Sequence, residues 1–250
     1  NPNLSPFSFF NVFSSNPPIL IFSPARSGRT NTTKDTYNNV KEVEEVVINI
    51  VNHEIVHQMS LSSSAYPKGV NEFVKAGFTP IESELIKPFR VKESPVQMEC
   101  KVNQVIELGD QGGAGNLIIC EVLRMHIDER VLDANGQIDQ HKIDLVGRMG
   151  ANWYVRAINE ALFEVDKPIT TLGIGFDNMP EGVKNSEILT GNDLGMLGNI
   201  EALPTQEEVT AFAKENNLKD FREKELHEAA KLLLSQSNTV DAWKTLLFKK

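Results

Sequence analysis

Two long stretches on either side of a glycine-rich break constrain the fold of this chain more than any other feature. Val96-Gln97-Met98-Glu99-Cys100-Lys101-Val102 alternates with a period of two, the spacing of a strand in a sheet with one covered face. Gly109-Asp110-Gln111-Gly112-Gly113-Ala114-Gly115 interrupts the chain, and Asn116 to Asp128 resumes as a second long strand. Strands of this length joined by such a turn pair antiparallel, and closing the sheet into a barrel removes its exposed edges. The glycines are turn formers, because nothing after them makes a nucleotide fingerprint.

A second stretch, Asn3 to Asn39, carries the chemistry. Ser5, Ser8 and Asn11 have short side chains that leave backbone N–H groups approachable, and Phe7, Phe9 and Phe10 supply apolar area. Ile19 to Phe22, between Pro17-Pro18 and Pro24, reads as a short buried strand that delivers the chain to a turn bearing Arg26, Arg29 and Lys34. Asp35 is placed to cap a helix over Thr36 to Glu45, which would set unsatisfied N–H groups and the positive end of the helix dipole beside those cations. An anion is favoured there.

Between these stretches, Val46 to Val51 is a continuous apolar run typical of a buried strand. His53-Glu54-Ile55-Val56-His57 matches the zinc-peptidase pattern His-Glu-x-x-His, in which two histidines one helical turn apart hold the metal and the Glu activates water. Zinc needs a third protein ligand, and Glu72, Glu82 and Glu84 downstream stand in no clear ligand motif. No metal is therefore assigned, and the segment is read as an amphipathic helix carrying surface histidines. Ser60 to Tyr66 is a polar loop, followed by a short helix over Asn71 to Ala76 that Gly77 closes.

The order Asn3-Leu4-Ser5-Pro6-Phe7-Ser8-Phe9-Phe10, then Asn16-Pro17-Pro18-Ile19-Leu20, then Arg26-Ser27-Gly28 and Thr33-Lys34-Asp35-Thr36-Tyr37-Asn38-Asn39 resembles the flavin reductase-like family of FMN-binding split barrels, which includes the flavoredoxins. Phe73, Ala76-Gly77, Thr79-Pro80, Lys87-Pro88, Val91, Ser94-Pro95 and Glu99-Cys100-Lys101 continue the resemblance. Gly115 to Val122, Val146-Gly147-Arg148-Met149-Gly150 and Tyr154 extend it to about residue 157. It implies a mainly β fold with peripheral helices, a closed antiparallel split β-barrel over residues 1–157 and a C-terminal turn-rich and helical extension over 158–250. It also implies that the sequence starts inside the family's first hairpin, with a leading strand absent.

The resemblance further implies an FMN-dependent oxidoreductase fed by NADH or NADPH, built as a homodimer with the flavin near the subunit interface. Ser8, Phe9 and Asn11 would line the flavin, and Ser23, Arg26, Lys34, Asp35 and Thr36 would surround its ribityl-phosphate end, Lys34 by direct charge contact. Arg148 either projects toward the ligand or pairs with an acidic neighbour, and it is counted with the ligand set. Many members of the family carry His where Asn116 stands, associated with the nicotinamide side, and Gly where Cys120 stands. Asn116 cannot exchange a proton near neutral pH, which keeps a second reading alive: a flavin-binding electron carrier or store, reduced by a redox partner protein and without its own NAD(P)H oxidation. A zinc hydrolase is the remote third.

A net charge of −9 excludes the basic footprint of a nucleic-acid or anionic-membrane binder, and no apolar run approaches a bilayer span. Cys100 and Cys120, far apart in sequence and set in strands, read as reduced core residues of a cytoplasmic protein. His126 is assigned no role, and Trp153 and Tyr154 are read as packing residues. Beyond Asn159 the chain changes character. Gly173 to Asp177 and Thr190 to Gly195 are read as turns, Thr205-Gln206-Glu207-Glu208 as a capping box opening a helix, and Phe221 to Leu234 and Val240 to Phe248 as amphipathic helices.

Overall fold

β-branched and aromatic residues on either side of Asn16-Pro17 form a hairpin, β1 (Phe10–Ser15) and β2 (Pro18–Phe22), with a cis Asn16–Pro17 peptide in its turn. Helix α1 (Asp35–Val43) and strand β3 (Glu45–Asn49) follow, then short helices α2 (Val56–Leu61) and α3 (Glu72–Ala76) and the two-residue strands β4 (Pro80–Ile81) and β5 (Arg90–Val91). The two long strands on either side of the glycine-rich break are β6 (Val96–Glu107) and β7 (Asn116–Ile127), but the one covered face expected from alternation is not seen, since every residue from Val96 to Cys100 is buried and both faces of β6 are covered there; a small hairpin, β8 (Val146–Arg148) and β9 (Tyr154–Arg156), comes later. This computed structural model describes residues 2–249, in two units, Asn1–Phe163 and Glu164–Lys250.

In the first unit β1, β2, β7, β6 and β3 lie side by side in that order as one antiparallel five-stranded sheet. The closed barrel expected from the sequence is not formed among the described residues. β1 and β3 are edges, and β2 is too short to cover β7: it pairs Ile118 to Glu121 and leaves Val122 to Ile127 with β6 alone. Leu20, Phe22, Val40, Val96, Met98, Val102, Ile118, Val131 and Ile143 pack the core with both cysteines. Cys100 and Cys120 are wholly buried free thiols. A hydrogen bond with Cys120, followed by burial, pushes the Cys100 thiol far above its usual range.

Two side-chain networks fix the elements around this sheet. Tyr37 donates to Glu107, and Lys41 donates to the Tyr37 hydroxyl (3.0 Å) and to Glu107 (3.3 Å), which ties α1 to the far end of β6. The Tyr37 hydrogen bond, then Lys41, holds the Glu107 carboxyl below the usual carboxylate range. At the other end of β6, Glu99 is completely buried and accepts from the N–H groups of Glu84 (2.9 Å) and Leu85 (2.7 Å). His126 Nε2 lies 2.7 Å from the same carboxylate and Arg90 Nε at 3.8 Å, so a buried charge is fully partnered and pins the 82–89 loop.

The second unit is helical: α4 (Glu181–Lys184), α5 (Gly191–Gly198), α6 (Gln206–Glu215), α7 (Glu223–Ser235) and α8 (Thr239–Leu247). The capping box at Thr205 and Glu208 is present as expected. The Thr190 to Gly195 stretch is a helix start rather than a turn, with its own capping box between Thr190 and Asp193. Glycines at 191, 195 and 198 disguise α5 by propensity. Burial of Leu197 against Trp243, whose indole N–H donates to the Leu197 carbonyl at 2.9 Å, overrides that cost. Among the described residues no helix is long and apolar enough to cross a membrane.

Candidate functional site

The site is built where the N-terminal segment crosses the open face of the first unit. Asn3 donates to the buried Thr36 hydroxyl (2.8 Å), the Leu4 N–H donates to Glu72 (3.2 Å), and the Phe7 and Phe22 rings lie 5.4 Å apart. Held at these points, Ser5, Pro6, Phe7 and Ser8 separate two cavities and line both. The smaller, about 210 Å³, is mixed: Ser5, Ser8, Ser23 and Ser63 share its lining with Pro6, Phe7, Phe9 and Ala25, and among the described residues Lys34 is its one charged side chain. The larger, about 790 Å³, is a mainly apolar slot walled by Phe10, Phe22 and Val46 to Val51, with Met59, Leu145, Arg148 and Tyr154.

Lys34, not Asp35, occupies the N-cap position of α1, and no side chain caps the helix. The expected cap at Asp35 fails because the helix begins one residue earlier than anticipated, placing Asp35 in its first turn. The uncapped first turn keeps N–H donors and dipole available for an anion next to the Lys34 ammonium. Ser23 is set by its neighbours: its N–H donates to the Phe9 carbonyl (2.9 Å) and its hydroxyl accepts from the Asn116 N–H (3.1 Å). Gly115 is required beside it, since a Cβ there would lie 2.7 Å from the Ser23 hydroxyl.

The positions singled out in the sequence distribute unevenly. Ser8, Phe9, Ser23 and Lys34 line the small pocket, and Ser8, Thr36 and Arg148 line the slot. Asn11, Arg26 and Asp35 line neither. The Asn11 side chain accepts from the Val12 N–H, and Arg26 is spent within its own turn on the side chain (2.8 Å) and carbonyl (2.6 Å) of Asn31. Among the described residues no carboxylate pairs with Arg148; its guanidinium carbon lies over the Tyr154 ring, 5.0 Å from the centroid. Tyr154 is therefore a wall of the slot, and Trp153 is 76 % exposed rather than packed.

Asn116 is 1 % exposed and its amide donates to the Pro24 carbonyl at 2.8 Å, so it braces the chain leaving β2 instead of facing a cavity. Ser62, Ser63, Met59 and the β3 residues were missed as lining; the apolar β3 run looks like core in sequence because an apolar cavity wall and a core have the same composition, yet every β3 residue is half-buried. The His-Glu-x-x-His segment is not one helix: α2 begins at Val56, and His53 lies in the preceding turn, its N–H bonded to the Asp144 carbonyl (2.9 Å). Among the described residues no three His, Cys, Asp or Glu side chains gather where a metal could bind.

Comparison with known proteins agrees with this architecture. Residues 1–142 match the flavin reductase like domain. An uncharacterized protein of Aquifex aeolicus is 37 % identical over 163 residues, covering 65 % of this chain and 81 % of its own length. Among solved structures, nitrilotriacetate monooxygenase component B from Bacillus cereus is similar at 32 % identity and a TM-score of 0.60, over 65 % of this chain and 79 % of that one. A protein with a split barrel domain from Shewanella frigidimarina matches at 27 % identity and a TM-score of 0.56, over 66 % and 79 %. Taken with the sheet order, these matches place the chain in the flavin reductase-like family.

Proposed function

We propose that this protein is an FMN-dependent oxidoreductase that passes reducing equivalents from NADH or NADPH through the flavin. The observation that carries the proposal is the pairing of a small serine-lined pocket, holding one cation at an uncapped helix start, with a large, mainly apolar slot that shares its wall. FMN has the matching form, a phosphate on a short polyol chain attached to a flat ring. When bound, the flavin supplies the two-electron chemistry, and the protein supplies orientation and local electrostatics.

In this reading Lys34 and the first-turn N–H groups at Asp35 and Thr36 hold the phosphate, with Ser8 and Ser23 as hydroxyl partners. Phe9, Asn11 and Arg26 complete the proposed set, Arg26 indirectly by fixing the 26–31 turn, and Arg148, which lines the slot and not the small pocket, is left out of the FMN phosphate set. Phe7, Phe22 and Ile48 offer the apolar wall for one ring face and exclude water from it. The flavin-binding domain is proposed to span 1–157 and the helical extension 158–250. A homodimer with the cofactor near its interface, completing the open sheet as a barrel, belongs to the same proposal and is supported by Val12 and Phe13, exposed along the edge strand β1, and Phe9, exposed just before it. Residence in the cytoplasm is proposed on the two free thiols.

A second reading, a flavin-binding electron carrier, is favoured by one observation: the buried Asn116 offers no titratable group on the cavity side. The absorption spectrum of the purified chain with added FMN tests the shared core of both readings, and NADH and NADPH oxidation separates them. Lys34→Ala removes one charge-assisted contact of roughly 1.5–3 kcal/mol, so the FMN Kd rises about 10- to 100-fold by fluorescence quenching. An unchanged Kd, or no flavin binding by the unmodified chain, overturns the assignment.

A further inference from the structure

The slot contains one charged side chain, Arg148; every other lining residue is apolar or neutral. Among the described residues Arg148 shares the lack of a hydrogen-bonded or ion-paired partner with Arg29, which is exposed in the 26–31 turn, and like Arg29 it is exposed. Arg90, Arg124, Arg130, Arg156 and Arg222 each meet a carboxylate, and Arg26 is held by Asn31. Among the described residues no carboxylate meets Arg148, whose planar group rests on the Tyr154 ring. The ring holds the cation beside the slot, and a guanidinium with no carboxylate partner keeps N–H donors for an anion.

The small pocket has its own cation, Lys34, across the wall formed by Ser5 to Ser8. A mononucleotide carries one phosphate, so two separate cationic loci exceed what FMN alone uses. The slot, at about 790 Å³, lies toward the upper end of the roughly 300–1,000 Å³ usual for sites of drug-sized ligands, and it leaves room beside a ring system for a flat guest.

We infer that Arg148, held beside the slot by Tyr154 and with the Asn152 amide beside it on the slot wall, anchors the carboxylate of a second, flat aromatic substrate. The inference rests on the flavin reading for what occupies the rest of the slot. An aromatic carboxylate fits because its two oxygens match the guanidinium fork, its ring fits between apolar walls, and no acidic side chain lines the slot to repel it.

The test compares para-nitrobenzoate with para-nitrobenzamide, one ring with and without the charge, titrated into the full chain loaded with FMN. Binding is followed by calorimetry and by quenching of Trp153, which adjoins Tyr154, against the constant background of the fully buried Trp243. A charged hydrogen-bonded pair contributes about 1.5–3 kcal/mol, so the carboxylate binds at least about 10-fold more tightly than the amide. Arg148→Ala and Arg148→Gln abolish that preference, Arg148→Lys keeps part of it, and the FMN Kd moves less than about threefold in all of them. Equal binding of amide and carboxylate by the unmodified chain overturns the inference. So does equal competition by inorganic phosphate, or a loss of FMN affinity in Arg148→Gln matching the loss of carboxylate affinity, which would assign Arg148 to the cofactor. If the unmodified chain takes no FMN, the flavin reading fails, and the carboxylate preference measured on the same apoprotein still decides the role of Arg148.

Discussion

Substituting Gly115 by Ala tests how the small pocket is held. The added methyl would sit 2.7 Å from the Ser23 hydroxyl and 3.5 Å from Leu108 Cδ1. Gly115 has no left-handed φ, so the backbone tolerates Ala and the crowding falls on the hydroxyl. Rotating that hydroxyl away breaks its bond with the Asn116 N–H and leaves the buried donor unpartnered. The cost is about 1–3 kcal/mol, a fall in Tm of roughly 2–10 °C for a unit of this size. Ser23→Ala strands the same N–H and costs a similar amount. The double variant strands it once and relieves the crowding, so it costs about as much as either single change. A double-mutant cycle read by the sheet signal in far-UV circular dichroism therefore gives a coupling of about 1–3 kcal/mol, well outside the ~0.5 kcal/mol scatter of independent sites. Additive effects would refute the hydroxyl as the link between the two strands.

Three further outcomes follow from the same geometry. Glu99→Ala strands the Glu84 and Leu85 N–H groups and the His126 ring at a buried position, costing about 3–5 kcal/mol, and limited proteolysis should then cut within residues 82–89; an uncut loop would show that other contacts hold it. Asp144 is held below the ordinary aspartate range chiefly by its hydrogen bonds with Arg156. Its folded pKa lies below its unfolded one, so its contribution is complete above about pH 4 and is lost as the pH falls through the lowered folded value; Asp144→Asn should flatten the acid limb of the stability curve, and an unaltered limb argues against the pairing. Thr190→Ala removes the cap of α5 at about 1 kcal/mol, measurable as a lower urea midpoint for the helical unit but not for the sheet, whereas a drop confined to the sheet would contradict the assignment.

Local chemistry that decides its own geometry was legible in the sequence. Alternation marked β6 as a strand though not which of its faces is covered, the glycine-rich break set off β7, Gly77 closed α3 with a φ of 70°, and the Thr205 capping box opened α6. What was hidden depended on distant partners. Arg26 looked like a ligand cation, but Asn31, with a left-handed backbone, turns back to occupy it. The β3 run looked like core because nothing in its residues distinguishes a packed neighbour from an apolar cavity. α5 was obscured by its glycines, whose helical cost is offset only once Trp243 arrives from residues much later in the chain. The histidine pattern was met in letters and not in space, because the helix starts after the first histidine.

The paired thiols of β6 and β7 give the first unit an internal clock. Neither sulfur can be reached by a reagent dissolved in water while the two longest strands stay zipped. Thiol–disulfide exchange with a colorimetric aromatic disulfide, which releases one coloured thiolate per sulfur that reacts, should thus follow the parting of that ladder and count rare openings that spectroscopy averages away.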